Sequence, residues 1–235
     1  MAIFRPGTGP TLLTLFALPV LIGLGIWQVQ RLEWKSALLE TIDRRMAATP
    51  VTLPSRIDSP EDWRYRPVRL RGEFDHDREV YVFSGRQGGG WMVYTPLMRA
   101  DGPPVLVNRG LVPDDKRAPD ARPNSQPTGI VTVSGIARGS RPGGWLVPEG
   151  DPEAGLFYAA DLPRLARAME LARWATVMVD ADADGSGLPR GGQTRVDIPN
   201  DHLEYALTWF ALALVLMGVY IAYGFSRSRG SGAGE

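Results

Sequence analysis

Cysteine is absent from this sequence. Its absence excludes disulfides, thiolate zinc or copper sites, cysteine nucleophiles and cysteine-linked haem. It leaves the compartment open, because a domain can fold outside the cytoplasm without disulfides. Lysine is scarce, at Lys35 and Lys116 only, so the positive charge is almost all arginine. With Ala, Gly and Pro abundant, this composition resembles that of a GC-rich bacterial genome. Net charge is lacking as well: 26 Lys and Arg face 26 Asp and Glu, and no basic excess argues for nucleic acid. Histidine occurs twice, at His76 and His202, which leaves few ways to assemble a hydrolase triad.

Two long uncharged apolar runs are present. Pro6 to Gln30 carries no charge, and Leu12 to Val29 is dense in Leu, Ile and Val, long enough to span a bilayer. A cleaved signal peptide is the competing reading. However, the run exceeds a usual h-region of about 7–15 residues, and no small-x-small site follows it. Instead it passes into Trp27 and Trp34, which suit an interfacial aromatic belt, so a retained anchor is expected. Pro19 is expected to bend this helix. Leu24, Trp27, Trp34, Leu38, Ile42 and Met46 keep a spacing near 3.5 residues that carries it to about Met46, where Ala48-Thr49-Pro50 stops it. The second run is bracketed by Glu204 and Arg227 and reaches Phe225. At ~1.5 Å per residue it extends about 33 Å, enough for a ~30 Å hydrocarbon core. The expected organisation is a tail at 1–10, a transmembrane helix at 11–30 and a domain at 31–201 with a helical stalk to about 46. A second transmembrane helix at 202–225 and a tail at 226–235 follow.

The middle of the chain is punctuated by Gly and Pro and alternates with period two. Val68, Leu70, Gly72 and Phe74 alternate with Arg69, Arg71 and Glu73, a half-buried strand. Trp63 and Tyr65 fall on the opposite parity, so Pro67 marks a bulge or strand start. Asp75-His76-Asp77 is a turn, Glu79 to Ser84 a central strand, and Gly85 to Gly90 a loop into a strand at Trp91–Met98. Further strands are expected at Val105–Gly110, Ile130–Ala137, Ala175–Val179 and, briefly, Trp145-Leu146-Val147. Asp114 to Thr128 and Asp180 to Thr194 are expected as loops. Asp161 as N-cap with Pro163 in the first turn opens a helix to about Ala172. The fold class expected is an α+β membrane protein, with two transmembrane helices flanking an antiparallel β-rich extracytoplasmic domain with a short helix, a small barrel being one form of it.

Chemical motifs are few. Gly88-Gly89-Gly90 lacks the Lys-Ser/Thr partner and following helix of a phosphate loop. Asp180, Asp182 and Asp184 lack the closing Glu of a calcium loop. Neither Ser84 nor Ser134 stands in a nucleophile elbow, and His76, between two aspartates, reads as an exposed turn residue. Arg64, Arg66, Arg69, Arg71 and Arg109 form a row in or beside strands. They are either a solvated face paired with Glu73, Asp75 and Glu79 or a carboxylate site of bidentate guanidinium groups, as for porphyrin propionates. His202 opens the second span, with Asp201 and Glu204 resembling a capping box. His202, Tyr205, Trp209, Leu212, Leu216 and Tyr220 lie roughly along one helical face. The imidazole is a ligand, a proton carrier or an interfacial residue.

Several segments taken together resemble the Surfeit locus (SURF) family of cytochrome oxidase assembly proteins, bacterial type. They are Leu24-Gly25-Ile26-Trp27-Gln28-Val29-Gln30-Arg31-Leu32-Glu33-Trp34-Lys35, Tyr65-Arg66-Pro67-Val68-Arg69-Leu70-Arg71-Gly72-Glu73-Phe74, Thr95-Pro96-Leu97, Asn108-Arg109-Gly110-Leu111-Val112-Pro113, and Asn200 to Phe210. Leu111 departs from the Trp that commonly follows Asn-Arg-Gly. The resemblance implies a non-enzymatic factor that binds haem a as transient cargo and aids its delivery to the catalytic subunit of haem–copper cytochrome c oxidase. Haem a synthase is a further partner. His202 is the implied ligand of the haem iron, with Tyr205 and Trp209 sheltering the macrocycle and Arg69, Arg71 and Arg109 holding propionates. Net positive tails place both termini in the cytoplasm and the domain in the periplasm of a bacterial inner membrane. An oxidase-docking scaffold without haem, or a periplasmic membrane-anchored enzyme using carboxylates, are the other readings.

Overall fold

A computed structural model of the chain describes residues 4, 6–85, 89–185, 187–194 and 199–230, with side chains of the last helix described through Arg227. Arg5, Glu235, the Arg229 side chain, the centre of the Gly85–Gly90 loop, residue 186 and residues 195–198 lie outside the described residues. In chain order the elements are α1 (Thr8–Met46), β1 (Val51–Thr52), α2 (Pro60–Trp63), β2 (Pro67–Phe74), β3 (Val80–Ser84), β4 (Gly90–Met98), β5 (Val105–Val112), β6 (Ile130–Arg138), β7 (Leu156–Phe157), α3 (Leu162–Ala168), β8 (Met178–Ala181) and α4 (His202–Gly230). Contacts divide the chain into two units, Met1–Thr41 with Asp197–Glu235, and Ile42–Val196.

The first unit is an antiparallel pair formed by α1 and α4. Residue numbers fall along α4 as they rise along α1. Thr11 Oγ1 lies 2.9 Å from the Tyr220 hydroxyl, Gln28 meets His202, and Asn200 Nδ2 donates to Ser36 Oγ at 3.2 Å. Gly25 lies under the Phe210 ring, where a Cβ would come within 2.5 Å of ring carbon. A glycine is what permits so close an approach. The inner face of α4 runs through His202, Ala206, Trp209, Ala213, Leu216 and Tyr220, alternating steps of four and three residues, the spacing of a left-handed helix pair. Ala206 and Ala213 are buried, whereas Tyr205 and Leu212 face outward. The stripe is therefore not the one expected from the sequence. Tyr205 is one residue off it, because a 3.5-residue seam selects Ala206. The outer faces are apolar and uncovered, as at Leu13, Leu15, Phe16, Leu207, Leu214 and Val219. Both helices are long and apolar enough to cross a membrane.

The second unit is a closed, barrel-like sheet. β2 pairs with β6, β6 with β8, β8 with β5 and β5 with β4. β4 returns to β2 at Glu73–Met98 and Phe74–Leu97. β3 adds to β4, while two-residue strands β7 and β1 add to β3 and β2. Inward residues of the alternating pattern, among them Leu70, Leu97, Val105, Val107, Ala137 and Val179, fill the interior. A second core lies under α3, where Leu162, Leu165 and Met169 pack on Val80, Val82, Tyr94, Leu106 and Phe157.

Four expectations are corrected. The sheet is not purely antiparallel: β1–β2, β3–β7 and β5–β8 are parallel. β3 is flanked by two-residue β7 and so sits next to an edge, its apolar residues covered by α3 and not by a full strand. Trp145-Leu146-Val147 forms no strand; Trp145 is 93% exposed in a turn that follows Gly143 and Gly144. α3 ends at Ala168, because Glu170 adopts φ +52°, and its first amide, at Leu162, is capped by Ser140 Oγ at 2.9 Å, with no side-chain cap from Asp161.

Candidate functional site

His202 begins α4, at the point where the polar segment ends and the apolar helix opens. Its ring is half-buried, and Nδ1 lies 2.7 Å from Oε1 of Gln28, which is itself buried on α1. Nε2 has no hydrogen-bond partner among the described residues. Trp209 lies two turns further along the same face, half-buried, while Tyr205 is 56% exposed on the outer side. The structure thus brings His202 and Trp209 onto one face and leaves Tyr205 off it. Gln28 was not singled out by sequence reasoning. The signal available was an amide side chain at the edge of a charge-free span, where burial demands a partner.

The arginine row separates into two kinds. Arg69 and Arg71 point outward from β2, opposite Ser134 and Thr132 of β6, and neither forms an ion pair with a described residue. Arg109 is turned inward. Its Nη1 lies 3.7 Å from Glu79 Oε2, its Nη2 donates to the Ser125 carbonyl, and its guanidinium sits 5.0 Å over the Phe74 ring. Burial lowers its pKa, with Glu79 opposing the shift. Glu79 also pairs with Arg122, accepts from Tyr81 at 2.7 Å, and lies 3.4 Å from Thr95 Oγ1. Arg122, which no local pattern marks, donates onward to Ser125 Oγ and to the carbonyls of Lys116 and Arg117. One buried carboxylate therefore holds two guanidinium groups and fastens residues 114–126. Within the expected loop that segment forms three short 3-10 turns. His76 belongs to the same neighbourhood: its Nε2 lies 3.0 Å from the Pro127 carbonyl and its ring 5.7 Å from that of Phe74, so it is half-buried and not an exposed turn residue.

Asn108-Arg109-Gly110 has a structural explanation at each position. Asn108 Nδ2 donates to Asp180 Oδ1 at 2.9 Å, and Asn108 Oδ1 accepts from the Gly110 amide at 3.1 Å. Gly110 has φ +125°, and a Cβ there would run into the Arg190 carbonyl. Asp180 also accepts from Thr194 and faces Arg138 at 3.6 Å. The first carboxylate of the supposed calcium loop is thus committed to the core. No group of three or more His, Asp or Glu suited to a metal ion occurs among the described residues. A cleft of about 540 Å³ opens beside Arg109, lined by Phe74, Val131, Asp182 and Asp184, and burial raises the Asp182 carboxyl.

These environments predict an alkaline limit. Burial, reinforced by the bond to Glu79, pushes the Tyr81 hydroxyl up to about 12, and burial raises Tyr94 further. A folded-state pKa above the unfolded value of about 10 favours the neutral phenol. The stabilisation is fully present below pH ~10 and is lost as pH rises toward 12. Urea unfolding against pH should show a decline across that window, and Tyr81→Phe should flatten it. An unchanged slope would refute the assignment.

The family model described as "SURF1 family" matches residues 15–214. Among curated relatives, Surfeit locus protein 1 of Rattus norvegicus is 37% identical over 220 residues, covering 84% of this chain and 70% of the relative. Surfeit locus protein 1 of Homo sapiens is 37% identical over 211 residues, covering 81% and 69%. The SURF1-like protein of Drosophila melanogaster is 34% identical over 213 residues, covering 81% and 69%. The match covers most of α1, the barrel and the first half of α4, including the His202 and Asn108-Arg109-Gly110 segments, and the chain belongs to the SURF1 family.

Proposed function

We propose that this chain is a membrane-anchored assembly factor for haem–copper cytochrome c oxidase, and that it binds haem a at His202 and aids its delivery to the oxidase catalytic subunit. Family membership supports the assembly role. The haem reading is carried by one observation: a half-buried imidazole at the head of an apolar helix, with one ring nitrogen engaged by Gln28 and the other unpaired among the described residues. An imidazole with a spare nitrogen can take an iron axial position. Trp209 supplies an aromatic wall on the same face, and Tyr205 suits contact on the outer side. Arg69 and Arg71 offer exposed guanidinium groups to carboxylates such as propionates. Arg109, already committed to Glu79, is not proposed for this task.

The uncovered apolar faces of α1 and α4 support membrane insertion of both helices at 11–30 and 202–225. The positive tails then favour cytoplasmic termini, with the domain at 31–201 in the periplasm of a bacterial cell membrane. Haem a synthase is proposed as the partner that supplies the cargo. The role is binding and transfer, without catalytic turnover.

Detergent-purified full-length chain, co-expressed with haem a synthesis, should carry a haem a spectrum. His202→Ala should lose most of it while keeping its elution volume. Unchanged haem affinity in that variant would overturn the ligand assignment. A colourless wild-type chain that still co-purifies with oxidase would replace haem delivery with docking alone.

A further inference from the structure

Gln28 and Gln30 are the two amide side chains of the charge-free stretch Pro6–Gln30, and Gln28 is 8% exposed. A buried primary amide is costly unless paired. Its partner lies 174 residues away on α4: Oε1 meets His202 Nδ1 at 2.7 Å. A carboxamide oxygen accepts and cannot donate, so the ring nitrogen facing it must carry the hydrogen. In a neutral imidazole that leaves the lone pair on Nε2.

We infer that Gln28 is a positioning residue for His202: it fixes the imidazole as the Nδ1–H tautomer, sets the ring's orientation and presents Nε2 as the nucleophilic nitrogen. Toward a haem iron this is the outer-shell arrangement that holds a metal-binding histidine, since a hydrogen bond to the second ring N–H sets the tautomer and raises ligand basicity. The metal part of the inference rests on His202 being the haem ligand; the tautomer part does not. The amide also suits a carrier. A neutral acceptor raises ring basicity less than a carboxylate would, so the ligand stays weak enough to release its cargo.

Gln28→Met preserves length but removes the strong acceptor, and Gln28→Glu restores one. The full chain, labelled with nitrogen-15 histidine and studied haem-free in detergent at alkaline pH, carries two imidazoles, and His76→Gln leaves His202 alone. The wild-type signal should report Nδ1–H, Gln28→Met a mixture of tautomers, and Gln28→Glu a return to Nδ1–H. In haem titrations Gln28→Met should bind about 10–100-fold more weakly, with an altered iron–histidine stretching frequency, and Gln28→Glu should bind at least as tightly as wild type. An Nε2–H tautomer in the wild type, or an unmoved tautomer in Gln28→Met, overturns the inference. A wild-type chain that takes no haem while His202 reports Nδ1–H overturns the haem reading and leaves the positioning role standing.

Discussion

Glu79→Ala is expected to destabilise the barrel unit by about 3–5 kcal/mol, the range for removing one partner of a buried ion pair. The Glu79 and Arg122 side chains are each 2% exposed, and Arg109 is 10% exposed. Without the carboxylate, two guanidinium groups remain buried together without their shared counter-charge, Arg109 keeping only the more distant Asp184, and the Tyr81 hydroxyl loses its acceptor. The penalty is dominated by that uncompensated charge, not by the lost attraction. Two further variants test this. Glu79→Gln keeps an acceptor for Tyr81 but not the charge, and it should recover only a small part of the loss. Adding Arg122→Met to Glu79→Gln removes the orphaned cation and should cost less than the two single changes together. Hydrogen exchange should locate the damage at residues 114–126, which Arg122 fastens through Lys116, Arg117 and Ser125. Urea unfolding of the full chain in detergent measures the first effect. A loss under about 1 kcal/mol would place this cluster in the screened class of surface pairs.

What was legible in the sequence follows from what is periodic. β2 alternates strictly, and Val68 and Leu70 fall inside while Arg69 and Arg71 face out. The two long helices were legible from length and apolarity alone. β1 and β7 were not, because two residues carry no period, and the parallel pairings they make depend on partners distant in sequence. Trp145-Leu146-Val147 misled because an apolar triplet fits a strand or an exposed turn equally. At the candidate sites the missing information was long-range pairing. His202 was visible, but Gln28 gained meaning only across the helix pair. Arg109 was visible, but Glu79, lying 43 residues from Arg122, decides that it serves the interior. Side-chain partners chosen by tertiary folding leave no local trace.

Asp180 shows the same limit, and its replacement should have an effect of similar size. Its oxygens accept from Asn108 at 2.9 Å and Thr194 at 3.1 Å, and Arg138 Nε stands 3.6 Å away. Asp180→Ala strands the amide of Asn108, the hydroxyl of Thr194 and a guanidinium whose side chain is 11% exposed. Arg138 Nη1 already lacks a hydrogen-bond partner among the described residues. A loss of about 3–5 kcal/mol is expected. Asp180→Asn separates charge from hydrogen bonding. An asparagine carbonyl can still accept from Asn108, and its amide can donate to the Thr194 hydroxyl oxygen, so what is removed is the charge facing Arg138 and, at 4.0 Å, Arg141. If hydrogen bonding dominates, Asp180→Asn should retain most of the stability. If charge compensation dominates, it should fall nearly as far as Asp180→Ala, and Arg138→Met should rescue it. The distances favour the second outcome only in part: Arg138 lies beyond hydrogen-bond reach, but burial lowers its pKa with Asp180 as the first opposing influence. A loss in Asp180→Asn about midway between wild type and Asp180→Ala is therefore expected. Because Asn108 also holds the Gly110 amide, exchange protection at Gly110 and Leu111 should fall in Asp180→Ala. In Asp180→Asn it should survive.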